Sequence, residues 1–262
     1  LPFSLQELKE TKYEIQDFEN YIVNSLYPRI FDQNLEPSIW LQDYTTTYIE
    51  RDVRQITPVK DLSLFHNFLQ LCAGHIGQII NYSSFSNNLG VDVKTIKSWL
   101  SILETSYIIF LQQPFYKNFN KRVIKSPKLY FYDSGLACNL LGIKKRNELS
   151  THYMKGGIFE SFIISELLKY LYNNKLSSKL YFYRDSNQNE IDVIIESSNH
   201  LKAIEIKSGM TITSDFFKGF KNWNKLTLQL PTENYLIYGG HESQNRSIAS
   251  VLSWNKLTEI FK

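Results

Sequence analysis

One segment constrains the fold more than any other: Glu190-Ile191-Asp192-Val193-Ile194-Ile195, a polar stretch from Glu196 to His200, then Leu201-Lys202-Ala203-Ile204-Glu205-Ile206-Lys207. Two alternating runs around a polar turn predict a β-hairpin. With the hairpin symmetric about the Ser198–Asn199 bond, Asp192 faces Glu205 and Glu190 faces Lys207. Strand period two puts these four on one face. Ile191, Val193, Ile204 and Ile206 fall on the other, where a core can take them. Like charges directly across a ladder repel, so Asp192 opposite Glu205 calls for a cation. Mg²⁺ suits such a place, since it takes one or two carboxylates together with water and phosphate oxygens; Mn²⁺ is the alternative. Lys207 points to the same spot and could neutralise a phosphate or orient a water. A slip of one residue would undo the alignment. The competing reading is an ordinary solvated sheet face. Against it stand the matched Glu-x-Asp and Glu-x-Lys spacing and a further acid, Glu160, on the helix just upstream.

The rest of the chain reads as an α+β protein. An interrupted amphipathic helix covers residues 4–25, and a second helix runs from Leu35 to Val53, stopped by Pro58. Asp61 caps a helix from Leu62 to Ala73 whose inner face carries Leu64, Phe65, Phe68, Leu69 and Cys72. A short helix near Ser84–Leu89 ends at Gly90. Asp92 then caps Val93–Thr105, which turns Ile96, Leu100 and Leu103 inward and Lys94, Thr95, Lys97, Ser98 and Ser101 outward. A strand at Tyr107–Leu111, a basic loop with Lys117, Lys121, Arg122 and Lys125, and a return strand at Leu129–Tyr132 complete the order of a winged helix. Asp133 caps a short helix to Leu141. The polar stretch Lys144–Ser150 is the expected boundary. Beyond it come a helix at Ile158–Leu171, strands at Lys179–Arg184, Ile191–Ile195 and Ala203–Lys207, a helix at Asp215–Trp223, and strands near Tyr235–Tyr238 and Ser250–Trp254. The expected organisation is a helical linker over residues 1–60, a winged-helix module over 61–143 and an α/β domain with a central mixed sheet over 144–262.

Composition narrows the classes. Of 262 residues, 43% are hydrophobic and 21% charged, which argues against disorder. A net charge of +3 permits a local basic patch and no more. Two cysteines make a disulfide scaffold improbable and suit a reducing cytoplasm. No apolar run reaches the roughly 20 residues of a spanning helix. Cys72 and His75 have a Cys-x-x-His spacing without a second pair, so zinc is not expected. Gly74-His75-Ile76-Gly77 lacks the trailing Lys-Ser/Thr of a phosphate loop, so no ATP site is expected in this chain. The start, Leu1-Pro2-Phe3-Ser4, reads as that of a trimmed fragment.

Glu160 on a helix, Asp192 on a strand and Glu205-Ile206-Lys207 on the next strand resemble the PD-(D/E)XK nuclease superfamily. That resemblance implies Asp192, Glu205 and Lys207 as catalytic residues, with Asp192, Glu205 and Glu160 around Mg²⁺ or Mn²⁺. The wider chain, through "LPFSLQEL", "YIERDV", "KLYFYDSGLACNLLG", "GGIFESFIISEL" and "YFYRDSNQNEIDVIIE", is similar to the C-terminal region of a large prokaryotic family of AAA-type ATPases, a region usually catalogued as a domain of unknown function. The segment "NSLYPRI" departs from relatives that carry glycines before the Tyr/Phe-Pro. The resemblance implies an N-terminal ATPase module that is missing from this chain. Three functions follow as expectations. One is a metal-dependent endonuclease domain brought to DNA by the winged helix, with Lys94, Lys97, Lys121, Arg122 and Arg184 on the nucleic acid. The second is a nuclease-like module that binds nucleic acid or protein without cutting. The third is a regulatory domain of the ATPase.

Overall fold

The computed structural model describes residues 1–49, 62–115, 124–197, 200–227 and 231–262. The expectations placed on residues 50–53, Pro58, Asp61, Lys117, Lys121 and Arg122 lie outside the described residues. The fold is α+β with an eight-stranded mixed sheet. The chain divides into two compact units, residues 1–111 with 128–162, and residues 112–127 with 163–262.

The first unit opens with α1 (Leu5–Leu8). Ser4 and Glu7 form a capping box there, each satisfying the other's backbone N–H. Next come α2 (Phe18–Asn24), α3 (Pro28–Asp32) and α4 (Pro37–Tyr44). The helix expected over Leu35–Val53 is regular only to Tyr44 and then widens into a π turn, Thr45–Ile49. The hydroxyls of Thr45, Thr46 and Thr47 each donate to the carbonyl four residues back, at 2.9, 2.7 and 2.6 Å. Such bonds compete with the backbone ladder and loosen it.

Three helices follow: α5 (Leu62–Gly74), α6 (Tyr82–Leu89) and α7 (Val93–Thr105). Gly90 ends α6 with φ +66°, a left-handed cap that glycine adopts without penalty. Asp92 caps α7 by accepting the Thr95 N–H at 2.7 Å. Phe65, Phe68, Phe85 and Trp99 lock the three together, with the Phe65 and Trp99 rings edge to face at 5.4 Å. The residues expected to face inward are buried except Leu64, which is half-buried, and Lys94 and Lys97 are exposed.

Strand β1 (Ile109–Pro114) begins two residues later than expected, because Tyr107 takes φ +57° in a turn closed onto the Glu104 carbonyl at 3.1 Å. After β2 (Lys128–Phe131), Asp133 caps α8 (Ser134–Leu140) and also accepts the Leu26 N–H at 2.8 Å. The stretch expected to be a boundary, residues 144–150, contains α9 (Arg146–Thr151), whose side chains bond within the first unit. Arg146 Nε donates to Asp17 at 2.5 Å, Ser150 Oγ to Glu19 at 2.8 Å, and Lys155 pairs with Glu19 at 2.6 Å. Helix α10 (Lys155–Asn173) then carries the chain into the second unit.

The second unit holds β3 (Leu180–Arg184), β4 (Glu190–Ser197), β5 (His200–Lys207), a 3₁₀ turn at Ser214–Phe217, α11 (Lys218–Leu226), β6 (Thr232–Tyr238), β7 (Gln244–Asn245) and β8 (Ser250–Ser253). Its sheet order is the end of β1, then β3, β4, β5, β6, β8 and β7. The β3-β4-β5 ladder is antiparallel, and β5, β6 and β8 run parallel. Ile194, Ala203 and Leu236 from the sheet share one buried cluster with Phe220 and Trp223 of α11. Strand β1 is divided between the units after Leu111. Gln113 pairs with Tyr181, Phe115 N–H donates to Phe182 O at 2.7 Å, and Ile124 N–H donates to Arg184 O at 3.1 Å. Phe115, an apolar anchor at 2% exposure, belongs to the second core.

Candidate functional site

The β4–β5 pairing runs from Ser197↔His200 to Val193↔Ile204, the register suggested by the sequence. The next step puts Asp192 across from Glu205. There the ladder gives way to side-chain contacts. Ile206 N–H donates to Asp192 Oδ2 at 2.7 Å. Lys207 Nζ reaches Asp192 Oδ2 at 3.2 Å and Glu205 Oε2 at 2.6 Å. One ammonium thus bridges two carboxylates. The solvated-face alternative does not describe this hairpin: Asp192 is 7% exposed and Glu205 4%. If both acids are ionised, the trio keeps one net negative charge. Burial, then the charge of Asp192, push the Glu205 carboxyl well above the usual glutamate range, while Lys207 opposes the shift.

Two features make room for this arrangement. The first is a β-bulge. Tyr181 pairs with Ile194 and Tyr183 with Ile191, so Phe182 alone faces Asp192 and Val193. A bulge re-aims the side chain it carries, and here it carries Asp192. It also releases the Asp192 carbonyl from the β3 ladder. Gln112 Nε2 takes that carbonyl at 3.0 Å and the Tyr181 carbonyl at 3.1 Å. The second feature is Gly219 on α11. A Cβ there would collide with Glu205 Oε1 and lie 2.8 Å from the Glu190 carbonyl oxygen. The helix passes over the acid only because residue 219 has no side chain. Neither Gln112 nor Gly219 was among the residues singled out from the sequence. A glycine two positions into an amphipathic helix was the only local signal available.

The other expected residues are placed elsewhere. Glu160 lies in the first unit, where its carboxylate accepts from Lys128 Nζ at 2.9 Å and from the Tyr130 hydroxyl. Among the described residues no group of three or more His, Cys, Asp or Glu side chains could share a metal. Of the three acids expected around a metal, Asp192 and Glu205 stand together in the second unit, and Glu160 belongs to the first. Arg184 pairs with Glu190 at 3.3 Å, both partly exposed. Lys97 lies over the Tyr82 ring at 5.3 Å, and Lys94 is exposed one turn away. Lys121 and Arg122 fall outside the described residues. Cys72 and Cys138 are both fully buried free thiols.

The remaining pair still suits a hard divalent cation. It offers two convergent carboxylates, a residual negative charge, and an ammonium already seated where positive charge is wanted.

Residues 15–147 match a family described as a domain of unknown function, DUF8612. The chain belongs to the DUF8612 family. Residues 155–257 match a second domain of unknown function, DUF4143. Lys94 and Lys97 lie within the DUF8612 match, and Glu160, Asp192, Glu205 and Lys207 within the DUF4143 match. Uncharacterized proteins of Mycobacterium bovis and Mycobacterium tuberculosis are each 29% identical over 178 residues, covering 68% of this chain and 40% of the relative. An uncharacterized protein of Haemophilus influenzae is 24% identical over 224 residues, covering 78% of this chain and 51% of the relative. The chain thus spans about half the length, or less, of these curated relatives. No solved structure matches it. No helix among the described residues is long and apolar enough to cross a membrane.

Proposed function

We propose that this chain is the C-terminal nucleic-acid-processing part of a prokaryotic cytoplasmic AAA-type ATPase, with a PD-(D/E)XK-type, Mg²⁺- or Mn²⁺-dependent nuclease site and a winged-helix module that binds DNA. The observation that carries this reading is the buried acid pair Asp192 and Glu205 bridged by Lys207 at 3.2 and 2.6 Å. The α5-α6-α7-β1-β2 order, with Lys94 and Lys97 exposed on α7, supports the DNA-binding part. The similarity to the ATPase family supports an N-terminal motor outside this chain.

Each residue then has a role. Asp192 and Glu205 would hold the divalent ion. When bound, that ion supplies an activated water at neutral pH. The Ile206 N–H and the Gln112 amide keep Asp192 aimed. With the acids' charge matched by a cation, Lys207 can turn its ammonium to the scissile phosphate and stabilise the charge that develops there.

A second reading rests on the same contact. Lys207 already bridges both acids and offsets one of their charges, as it would in a catalytically inactive binding or regulatory domain of the ATPase. The two readings separate in one assay. Branched and single-stranded DNA are incubated with Mg²⁺ or Mn²⁺, using both this chain and a protein with the ATPase module restored. Nicking that disappears in Asp192→Asn and in Lys207→Ala supports the nuclease. No cleavage by either form under any of these conditions rejects it.

A further inference from the structure

The face of α11 that points away from the core is basic. Lys218, Lys221 and Lys225 stand three and four residues apart, which puts them on one stripe. Packing decides which way the stripe points. Phe220 and Trp223 are 0% and 1% exposed in the core of the second unit, so the lysines are turned outward, and all three are exposed. The helix, KGFKNWNKL, contains no acidic residue. Lys218 has one exposed partner, Asp215, at 3.0 Å. Among the described residues Lys221 and Lys225 have no ion-pair partner. Like charges at these spacings disfavour an isolated helix, so the stripe calls for an anion on its outer side.

Its position narrows the choice of anion. Gly219, next to Lys218, is the residue that lies against the Glu205 carboxylate. The basic stripe therefore starts at the acid pair and leads away from it. From Lys218 to Lys225 is about 10.5 Å of helix at 1.5 Å per residue. Three base steps advance about 10.2 Å along one strand. A small anion would need one lysine, whereas a line of three cations ending at a candidate phosphodiesterase site fits a polyanion laid lengthwise.

We propose that the outer face of α11 is a track for a nucleic-acid backbone, with Lys218, Lys221 and Lys225 on phosphates spread over about three base steps of one strand and the N-terminal end of the helix delivering the strand to Asp192 and Glu205. The delivery part rests on the nuclease reading of that pair, while the binding part stands by itself. Neutralising cations that contact phosphates removes counterion release, so the effect shows in salt dependence as well as in affinity.

The test measures anisotropy of a fluorescein-labelled 20-nucleotide single strand, and of the same sequence as a duplex, over a salt series with the whole chain. Lys218→Gln, Lys221→Gln and Lys225→Gln are combined. The expected result is at least a tenfold loss of affinity at low salt. The slope of log K against log salt should become shallower by about 2 for the single strand, at about 0.7 for each phosphate that no longer meets a lysine. The triple Lys→Arg variant should keep both affinity and slope, and Lys256→Gln with Lys262→Gln should change neither. Circular dichroism and Mn²⁺ binding should be the same in all variants. Unchanged affinity and slope in the triple Gln variant overturn the proposal, as does a Lys94→Gln/Lys97→Gln variant that alone abolishes binding. If DNA binding falls as expected but Mn²⁺ binds nowhere on the unaltered chain, the track stands and the nuclease reading fails.

Discussion

Gly219→Ala tests the packing that encloses the acid pair. At an ordinary interior helix position this change stabilises by about 1 kcal/mol. In α11 the sign should reverse. The new Cβ would overlap Glu205 Oε1 and lie 2.9 Å from Glu205 Cδ and 2.8 Å from the Glu190 carbonyl oxygen. The carboxylate can retreat, but only by leaving Lys207, which it meets at 2.6 Å. The carbonyl is backbone and cannot. Overpacking of this kind costs about 1–3 kcal/mol, so after the helix gain a net loss of up to about 2 kcal/mol is expected. Glu205→Ala removes the side-chain part of the clash and leaves the carbonyl. The two substitutions should therefore couple by about 0.5–3 kcal/mol, as contacting residues do. Equilibrium urea unfolding of the four proteins gives the cycle, read from midpoints at constant m. The reasoning is refuted if Gly219→Ala raises the midpoint by the same amount with and without Glu205.

Other outcomes follow from the same contacts. Because the folded protein holds the Glu205 proton more tightly than the unfolded chain does, the folded state binds more protons once pH exceeds the ordinary value of 4.5. Stability from this group should be greatest at low pH and decline as pH rises through the raised folded value; Glu205→Gln should flatten that decline in a series of melting temperatures. Lys128, 2% exposed, holds the Glu160 carboxylate at 2.9 Å, so Lys128→Met should destabilise the first unit by about 3–5 kcal/mol, with part of the loss recovered by adding Glu160→Leu. Burial pushes both thiols up, with the charge of Asp133 adding to the effect at Cys138. Neither Cys72 nor Cys138 should react with a thiol reagent until urea unfolds the chain, and a rapid native reaction would contradict their burial.

What was legible in the sequence was local. The alternation of Glu190–Ile195 and Leu201–Lys207 carried the hairpin, and its polar turn carried the register, because side-chain period and turn length leave little freedom. Asp92 and Asp133 announced their helices by short-range capping. What was hidden depends on partners distant in the chain. The bulge that re-aims Asp192 requires the neighbouring strand β3, and the amide that steadies it, Gln112, lies 80 residues upstream. The partners of Arg146 and Ser150, Asp17 and Glu19, are about 130 residues away, so the polar stretch 144–150 does not announce them. Burial of the acidic face depends on a helix crossing at Gly219, which alternation within the hairpin cannot report. The partners of Glu160, Lys128 and Tyr130 of β2, lie about 30 residues upstream and are likewise not legible from the helix alone.

The central claim is that Asp192 and Glu205 form a divalent-cation site in which Lys207 occupies the cation's place until it arrives. Titration of the chain with Mn²⁺, followed by electron paramagnetic resonance of the free ion, tests it most directly. The account predicts saturable binding of one Mn²⁺ for each chain, tighter as pH rises because the Glu205 proton must leave. It also predicts loss of binding in Asp192→Asn and in Glu205→Gln, and stronger binding in Lys207→Met. No saturable site, or one that both acid variants leave unchanged, would contradict it.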